Sequence, residues 1–298
     1  MTTKKIAVID LGTNTFNLLV AEKSKHQVKR LFNTKEGVAL GMGGINQNLL
    51  SSEAIKRAMV SLRNFCAIAR EFECESIVAF GTSALRNATN AHELIDQANQ
   101  ELNLQIQVIS GLREAELIYK GVQCGYDFSV PSLIMDIGGG STEFILADAN
   151  GIQLARSFEI GVSRIYQMFQ FSDPVSEEDS QKIIAYLEQT TRGFFNTIQC
   201  KRLVGASGSF ETFYKLAHDT GCPEEEFLLM NKEDLIRSLD RIIRSTQAQR
   251  DLNDLIIPIR KKMAPIAAVK TKWVVEKLNI DELLISPYAL KEGVMSEL

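Results

Sequence analysis

The chain is poor in the residues from which metal cages, disulfide frameworks and membrane anchors are built. Five of its 298 residues are cysteine, at 66, 74, 124, 200 and 222, an odd number with no CxxC pair. That pattern argues against a disulfide scaffold and fits reduced, mostly buried thiols in a cytosolic protein. The histidines number 3 and lie far apart in sequence, which gives little support to a His-rich zinc site or a Ser-His-Asp triad. No apolar run approaches the roughly 20 residues of a membrane-spanning helix. Between Lys5 and Asp10 stand four apolar residues, far short of the about 7 to 15 of a signal peptide, so a cytoplasmic location is expected. A net charge of −4 argues against broad nucleic-acid or anionic-membrane binding and leaves room only for a local basic cleft. No Pro/Gly/Ser linker and no low-complexity tail interrupt the chain. With 45% hydrophobic and 23% charged residues it has apolar material for two ordinary globular cores, and its length suits two domains of about 100 to 150 residues each.

Against these absences, one pattern is present twice. Ile9-Asp-Leu-Gly-Thr-Asn14 matches Met135-Asp-Ile-Gly-Gly-Gly140, pairing Asp10 with Asp136 and Gly12 with Gly138. A second pair follows at nearly the same interval. Gly81-Thr-Ser-Ala lies 71 residues after Asp10, and Gly205-Ala-Ser-Gly lies 69 residues after Asp136. Two matched pairs in matched order point to a duplicated domain. Each motif ends a β-branched apolar run and turns on glycine, which lets backbone N–H groups close around an anion. Two half-sites facing one phosphate ligand are the expectation.

The remaining pattern predicts strands over 4–10, 15–22 and 27–34, then a helix capped by Ser51 or Ser52. Its apolar stripe is Ile55, Met59, Leu62, Phe65, Cys66 and Ala69. Strand 75–80, a helix opened by an Asn90/Glu93 capping box, strand 105–109 and helix 111–124 complete the first half. The second half repeats the plan, with strands near 132–137, 142–148 and 152–158. A helix opened by Ser176 and Asp179 and strand 202–205 follow. A mainly helical insertion over about 210–278, strand 282–286 and a helix from about 288 close it. The fold class is therefore α/β, two domains with mixed sheets, 1–125 and 126–298, meeting at a seam near 125–131.

Gly12, Thr13 and Asn14, with Gly138, Gly139, Gly140 and Ser141, would cradle phosphates through backbone N–H groups and hydroxyls; tight β-turns are the plainer alternative. Asp10 and Asp136 would repel phosphate unless Mg²⁺ intervenes, so they are metal candidates, with turn capping as the alternative. Glu143, in the repeat position of Asn17, is a candidate for metal or water, or a residue on a solvated strand face. Spacing alone makes Glu114 a helix-capping residue at N3 of a helix capped by Gly111. Arg86 is suited to gripping phosphate oxygens, and Gly205, Ser207 and Gly208 would form the second half's counterpart loop, with Ser207 a helix N-cap. Arg260, Lys261, Lys262, Lys270 and Lys272 read as a solvated basic face or as steering for a polyanion, and Trp273 as core.

With DLGTNTFNL (10–18), GTSALRNA (81–88), ISGLREAELIYKGV (109–122), MDIGGGSTEF (135–144) and GASGSFET (205–212) in view, the chain closely resembles the exopolyphosphatase/guanosine-pentaphosphate phosphohydrolase (Ppx/GppA) family. The resemblance implies two actin-like, ribonuclease-H-like domains around a cleft. It also implies hydrolysis of a terminal phosphoanhydride with a divalent cation, Mg²⁺ being the expectation. It makes Glu114 the catalytic carboxylate that activates water and supports a phosphate role for Arg86. Longer relatives carry a helical HD-type domain after this pair, so the chain resembles the short, two-domain form. It departs from the family pattern at Arg113, where a second acid is common, and at Asn17, where histidine is common. Arg260-Lys-Lys262 replaces RAD, and Ala289-Leu-Lys-Glu-Gly293 replaces GLREG. Expected partners are polyphosphate or a guanosine polyphosphate, with a homodimer left open and neither nucleic acid nor membrane. A guanosine polyphosphate sensor with weak turnover and a small-molecule kinase of the same fold are the rival readings.

Overall fold

The computed structural model describes residues 3–24, 27–223 and 225–298. The first half runs β1 (Lys4–Leu11), β2 (Thr15–Lys23), β3 (Val28–Gly37), α1 (Ser52–Glu71), β4 (Ser76–Gly81), α2 (Ser83–Asn87), α3 (Ala91–Leu102), β5 (Ile106–Val108) and α4 (Gly111–Gln123). The second runs β6 (Ser132–Ile137), β7 (Thr142–Asp148), β8 (Gly151–Phe158), α5 (Val162–Met168), α6 (Glu177–Thr190), β9 (Arg202–Gly205) and α7 (Gly208–His218). It continues through β10 (Leu228–Asn231), α8 (Lys232–Ile243), α9 (Gln247–Asp251), α10 (Pro258–Lys261), α11 (Ala264–Lys277), β11 (Glu282–Ile285) and α12 (Leu290–Glu297). The sheets are ordered β3-β2-β1-β4-β5 and β8-β7-β6-β9-β11-β10. Position for position, the second is the first with one antiparallel strand added at its edge. The duplication extends to an irregularity: the β2–β3 register shifts between Val20 and Ala21, and the β7–β8 register between Leu146 and Ala147. Both are 126 residues apart, the same offset that separates Asp10 from Asp136.

Helix α1 buries the expected stripe, Ile55, Met59, Leu62, Phe65, Cys66 and Ala69, and the Ser51 hydroxyl accepts from the Ala54 N–H at 3.2 Å. Such a cap contributes about 1 kcal/mol. Helix α6 has the full Ser176/Asp179 capping box. Asn90 behaves differently from expectation. It precedes α3, yet its side chain bonds the Leu50 N–H at 2.8 Å and the Leu50 carbonyl at 3.0 Å instead of capping the helix. Two good tertiary bonds outcompete one local bond here. The short helices α2 and α5 and strand β10 had no counterpart in the sequence expectation. At four to seven residues they fall below the length at which periodicity is readable.

Three apolar cores hold these layers. One joins the first sheet to α1 and α3, and a second joins the second sheet to α6, α7, α8 and α11, with Trp273 inside it as expected. The third lies between the two sheets and is built on α4 and α12. Each of these helices packs against the sheet of the other half: α4 on β7 and β8, α12 on β1 and β2. They cross through glycine. A methyl at Gly121 would overlap the Ala289 carbonyl, and one at Gly293 would overlap that of Leu117. This exchange places the two sheets face to face, with their strand-end turns meeting across one cleft. Among the described residues no helix is long and apolar enough to cross a membrane.

Candidate active site

The cleft, about 550 Å³, is lined from both halves. Its floor is made by the β1–β2 and β6–β7 turns. A Cβ on Gly12 would come within 2.7 Å of the Thr15 carbonyl oxygen, and one on Gly138 within 3.0 Å of that of Ser141. Glycine is thus required at the same place in both copies. In the second turn the Gly138, Gly139 and Gly140 carbonyls accept from Val162, Ser163 and Gly161 at 3.0, 2.8 and 3.0 Å. Because a trans peptide points its C=O and the next N–H in opposite directions, the N–H groups of Gly139, Gly140 and Ser141 turn away from α5. All three residues line the cleft. The two turns touch: a Cβ on Gly139 would meet Asn14 and Thr13, and the Ser163 hydroxyl donates to Asn14 Oδ1.

Antiparallel register decides which acids face one another. Asp10 is opposite Asn17, and Asp136 is opposite Glu143, so each pair shares a face of its sheet. Glycines in the turn had left the facing of Glu143 open; it is 1% exposed and therefore not on a solvated strand face. Its carboxylate accepts from Ser157 Oγ at 2.6 Å. Asp10 Oδ2 accepts from Asn17 Nδ2 at 2.9 Å, whereas Oδ1 is buried with no hydrogen-bond partner. Burial pushes Asp10 up to about 6 against the opposing Asn17 bond. Asp136 is raised by burial and then by the like charges of Glu143 and Asp10. Glu143 is raised by burial, with Ser157, Ser141 and Arg86 opposing.

Glu114 joins them from α4 and is buried, at 7% exposure. The capping expectation fails on geometry. Ser110, not Gly111, is the N-cap and accepts from the Arg113 N–H at 3.1 Å, so the N3 position belongs to Arg113. The Glu114 carboxylate turns instead into the cleft, and Arg86, expected to grip phosphate but absent from the cleft lining, donates to it through Nη1 at 2.9 Å. Its pKa is raised by burial and by Glu143, against the pull of Arg86. Arg113 points outward, to Glu116 and to Glu297 of α12, so the family's missing second acid lies outside the cleft lining.

The second-half counterpart loop divides. Ser207 and Gly208 line the cleft, but Gly205 lies beneath Phe210, whose ring a Cβ would overlap, and is absent from the lining. Ser207 is not a side-chain cap; its Oγ accepts from the Ile137 N–H at 3.2 Å and so ties α7 to β6. The Arg260 guanidinium lies against Gly208 and within 3.6 Å of Glu211, which also meets Lys35 of β3 at 3.3 Å. Arg260 and Lys35 thus come from opposite walls. The basic run is neither one solvated face nor one track: Lys270 is buried, and Lys272 pairs with Asp240 at 2.8 Å.

Sequence reasoning missed Glu159 and Arg164. Glu159 Oε2 accepts from Ser83 at 2.8 Å and from Arg164 at 2.8 Å, and its Oε1 lies 3.5 Å from Arg86. These bonds join the halves beside Glu114. The only signal was a pair of opposite charges flanking a glycine after a strand, EIGVSR (159–164), and that is weak.

A divalent cation fits this donor set. Asp10 offers a buried carboxylate oxygen with no partner, and Asp136 and Glu143 crowd one another with like charge. Among the described residues no group of three or more His, Cys, Asp or Glu side chains is already arranged as a cage. Mg²⁺ bound here would complete its shell with water and phosphate oxygens, as that ion ordinarily does.

A repeated five-stranded unit whose glycine turns and acids converge on one cleft defines a duplicated α/β fold with two mixed sheets. Within that class the match is specific. The profile described as the Ppx/GppA phosphatase family covers residues 19–298, and the chain belongs to that family. Among curated relatives, the guanosine-5'-triphosphate,3'-diphosphate pyrophosphatase of Photobacterium profundum is 30% identical over 98% of this chain and 59% of its own length. That of Vibrio cholerae serotype O1 is likewise 30% identical, over 98% and 59%. The chain thus spans well under two thirds of these relatives. A crystal structure of an exopolyphosphatase from Cytophaga hutchinsonii is matched over 98% of this chain and 97% of its own, with TM-score 0.94 and 35% identity. The Aquifex aeolicus PPX-GPPA enzyme, at TM-score 0.83 and 22% identity, shares the fold.

Proposed function

We propose that the protein is a Mg²⁺-dependent phosphohydrolase that releases terminal phosphate from inorganic polyphosphate or guanosine pentaphosphate. One observation carries this: Glu114, buried and held by Arg86, faces the same cleft as two anion-binding turns and three further acids. Asp10, Asp136 and Glu143 would hold the cation, which supplies charge neutralisation to the phosphate oxygens. The N–H groups of the Gly138–Ser141 turn and the Gly12–Asn14 turn would bind the terminal phosphate. Glu114 would orient a water on the terminal phosphorus and take its proton as the new P–O bond forms and the bridging P–O bond breaks. Arg86 holds the Glu114 carboxylate in place for that transfer, and burial raises the carboxylate's proton affinity above the ordinary carboxylate range. The names of the relatives support both substrates, as a polyphosphate hydrolase and a guanosine pentaphosphate hydrolase each share this two-sheet unit. We retain 125–131 as the division between domains, where α4 has ended and β6 has not begun.

The test is release of orthophosphate by the purified protein with Mg²⁺ from each substrate, with ATP a poor one. Failure with both, alongside tight binding of guanosine tetraphosphate, would turn the reading into a sensor. Transfer of phosphate from ATP to a small metabolite would turn it into a kinase.

A further inference from the structure

A lysine is costly to bury, and Lys270 of α11 is wholly buried at 0% exposure, between Val269 and Thr271 on a helix that also carries Ile266, Ala267 and Trp273 into the core. An alkyl side chain would suit that setting better. Its Nζ donates to Thr142 Oγ1 at 2.6 Å and to the Ile160 carbonyl at 2.5 Å. These two residues bracket the phosphate turn. Thr142 follows Ser141 and precedes Glu143, while Ile160 follows Glu159 and precedes Gly161, whose N–H holds the Gly140 carbonyl. The ammonium is therefore tied to both chain segments that frame the turn. Among the described residues it forms no salt bridge; burial pushes Lys270 down to about 7, while Glu143 and Asp136 act on it from further away and favour its charged form.

We infer that Lys270 is a positioning residue, which from inside the core fixes the Gly138–Ser141 turn and Glu143 in place. It reaches neither substrate nor water. The inference rests on the phosphohydrolase reading.

The variants are K270M, T142V and the double variant. Three readouts apply: polyphosphate turnover against Mg²⁺ concentration, binding of imidodiphosphate with Mg²⁺ by calorimetry, and thermal unfolding. K270M should lose about 10- to 100-fold in kcat and need more Mg²⁺ for half activity, as changes behind a cation site do. Its melting temperature should stay within about 4 °C of the parent, because a buried amine is replaced by a chain that packs well. T142V should show a smaller loss of the same kind, and the double variant should be no worse than K270M. The inference is overturned if K270M, or T142V should K270M not fold, keeps turnover and imidodiphosphate binding within about twofold. It is equally overturned if stability falls while the folded fraction keeps full activity, since that describes packing alone. A parent protein that binds imidodiphosphate without turnover would sink the hydrolase reading but leave the binding comparison to decide Lys270. A parent that does neither overturns both.

Discussion

The β1–β2 and β6–β7 hairpins have the same backbone and different charge. Their glycines meet the same carbonyl, their following strands bulge at the same step, and their first acids, Asp10 and Asp136, occupy one register position. What differs is the residue opposite: Asn17 donates to Asp10, whereas Glu143 crowds Asp136. The duplicated backbone preserves the shape of the turn, because that shape depends on main-chain geometry that glycine secures in both copies. The charges are concentrated on one side: Glu143 acts on both Glu114 and Arg86 through its charge, whereas Asn17 has none. A methyl on Gly111, at the start of α4, would run into Ser157. Duplication gives two like turns, and divergence at single positions makes the acids around them unlike.

The largest expected effect breaks the asymmetry at its source. E114Q should lower kcat by about 10² to 10⁴ while binding of substrate changes little, since a proton acceptor is removed and its shape kept. Near-normal turnover in the folded variant would return Glu114 to a structural role. Next, E143N makes the second hairpin resemble the first. It should cost about 10- to 100-fold in activity and raise the Mg²⁺ requirement. Adding N17E to it should not restore turnover, because the acid would then stand on the side away from Glu114; recovery would show the hairpins to be interchangeable.

A third comparison uses stability without divalent cation. Asp10 is raised to about 6 in the folded chain from its ordinary 3.8, so the folded state holds more protons than the unfolded between those values. Stability attributable to Asp10 should therefore fall as pH rises from about 4 to about 6 and stay lost above that window. D10N should accordingly be the more stable protein at pH 7 in EDTA, by up to about 3 kcal/mol, and the advantage should fade near pH 4. Excess Mg²⁺ should stabilise the parent more than D10N. Equal stabilisation would remove Asp10 from the cation site. The smallest effect tests a feature outside the comparison: S176A should cost about 1 kcal/mol in denaturant unfolding and leave turnover unchanged.

Much of this arrangement was legible in the residues, and the exceptions have definite causes. Motif spacing anticipated that Asp10, Asp136, Gly12 and Gly138 would meet at one cleft, because identical turns need identical residues at identical intervals. The long amphipathic helices were legible because a stripe such as Ile55 to Ala69 repeats over several turns. Asn90 misled because a good capping residue is equally good at a tertiary bond, and the sequence does not show Leu50 nearby. Gly205 looked like its partners but is demanded by the Phe210 ring. Glu159 and Arg164 stayed unread and Lys270 was misplaced in a basic run that is not one face, since a charge near a glycine or in a basic run carries no periodic signature.

What the sequence by itself determined is the repeated unit: the succession of strands and helices, the glycine turns and the positions of the paired acids, all set by local propensity and by intervals along one chain. What only the tertiary structure decided is how the two units face each other. Gly121 against Ala289 and Gly293 against Leu117 let α4 and α12 cross closely, and that crossing carries Glu114 out of the first half and into the acids of the second. It also turns Arg113 outward to Glu297 and leaves Lys270 dry beneath the Gly138–Ser141 turn. Those placements depend on contacts between residues more than a hundred positions apart, which spacing within either repeat does not encode.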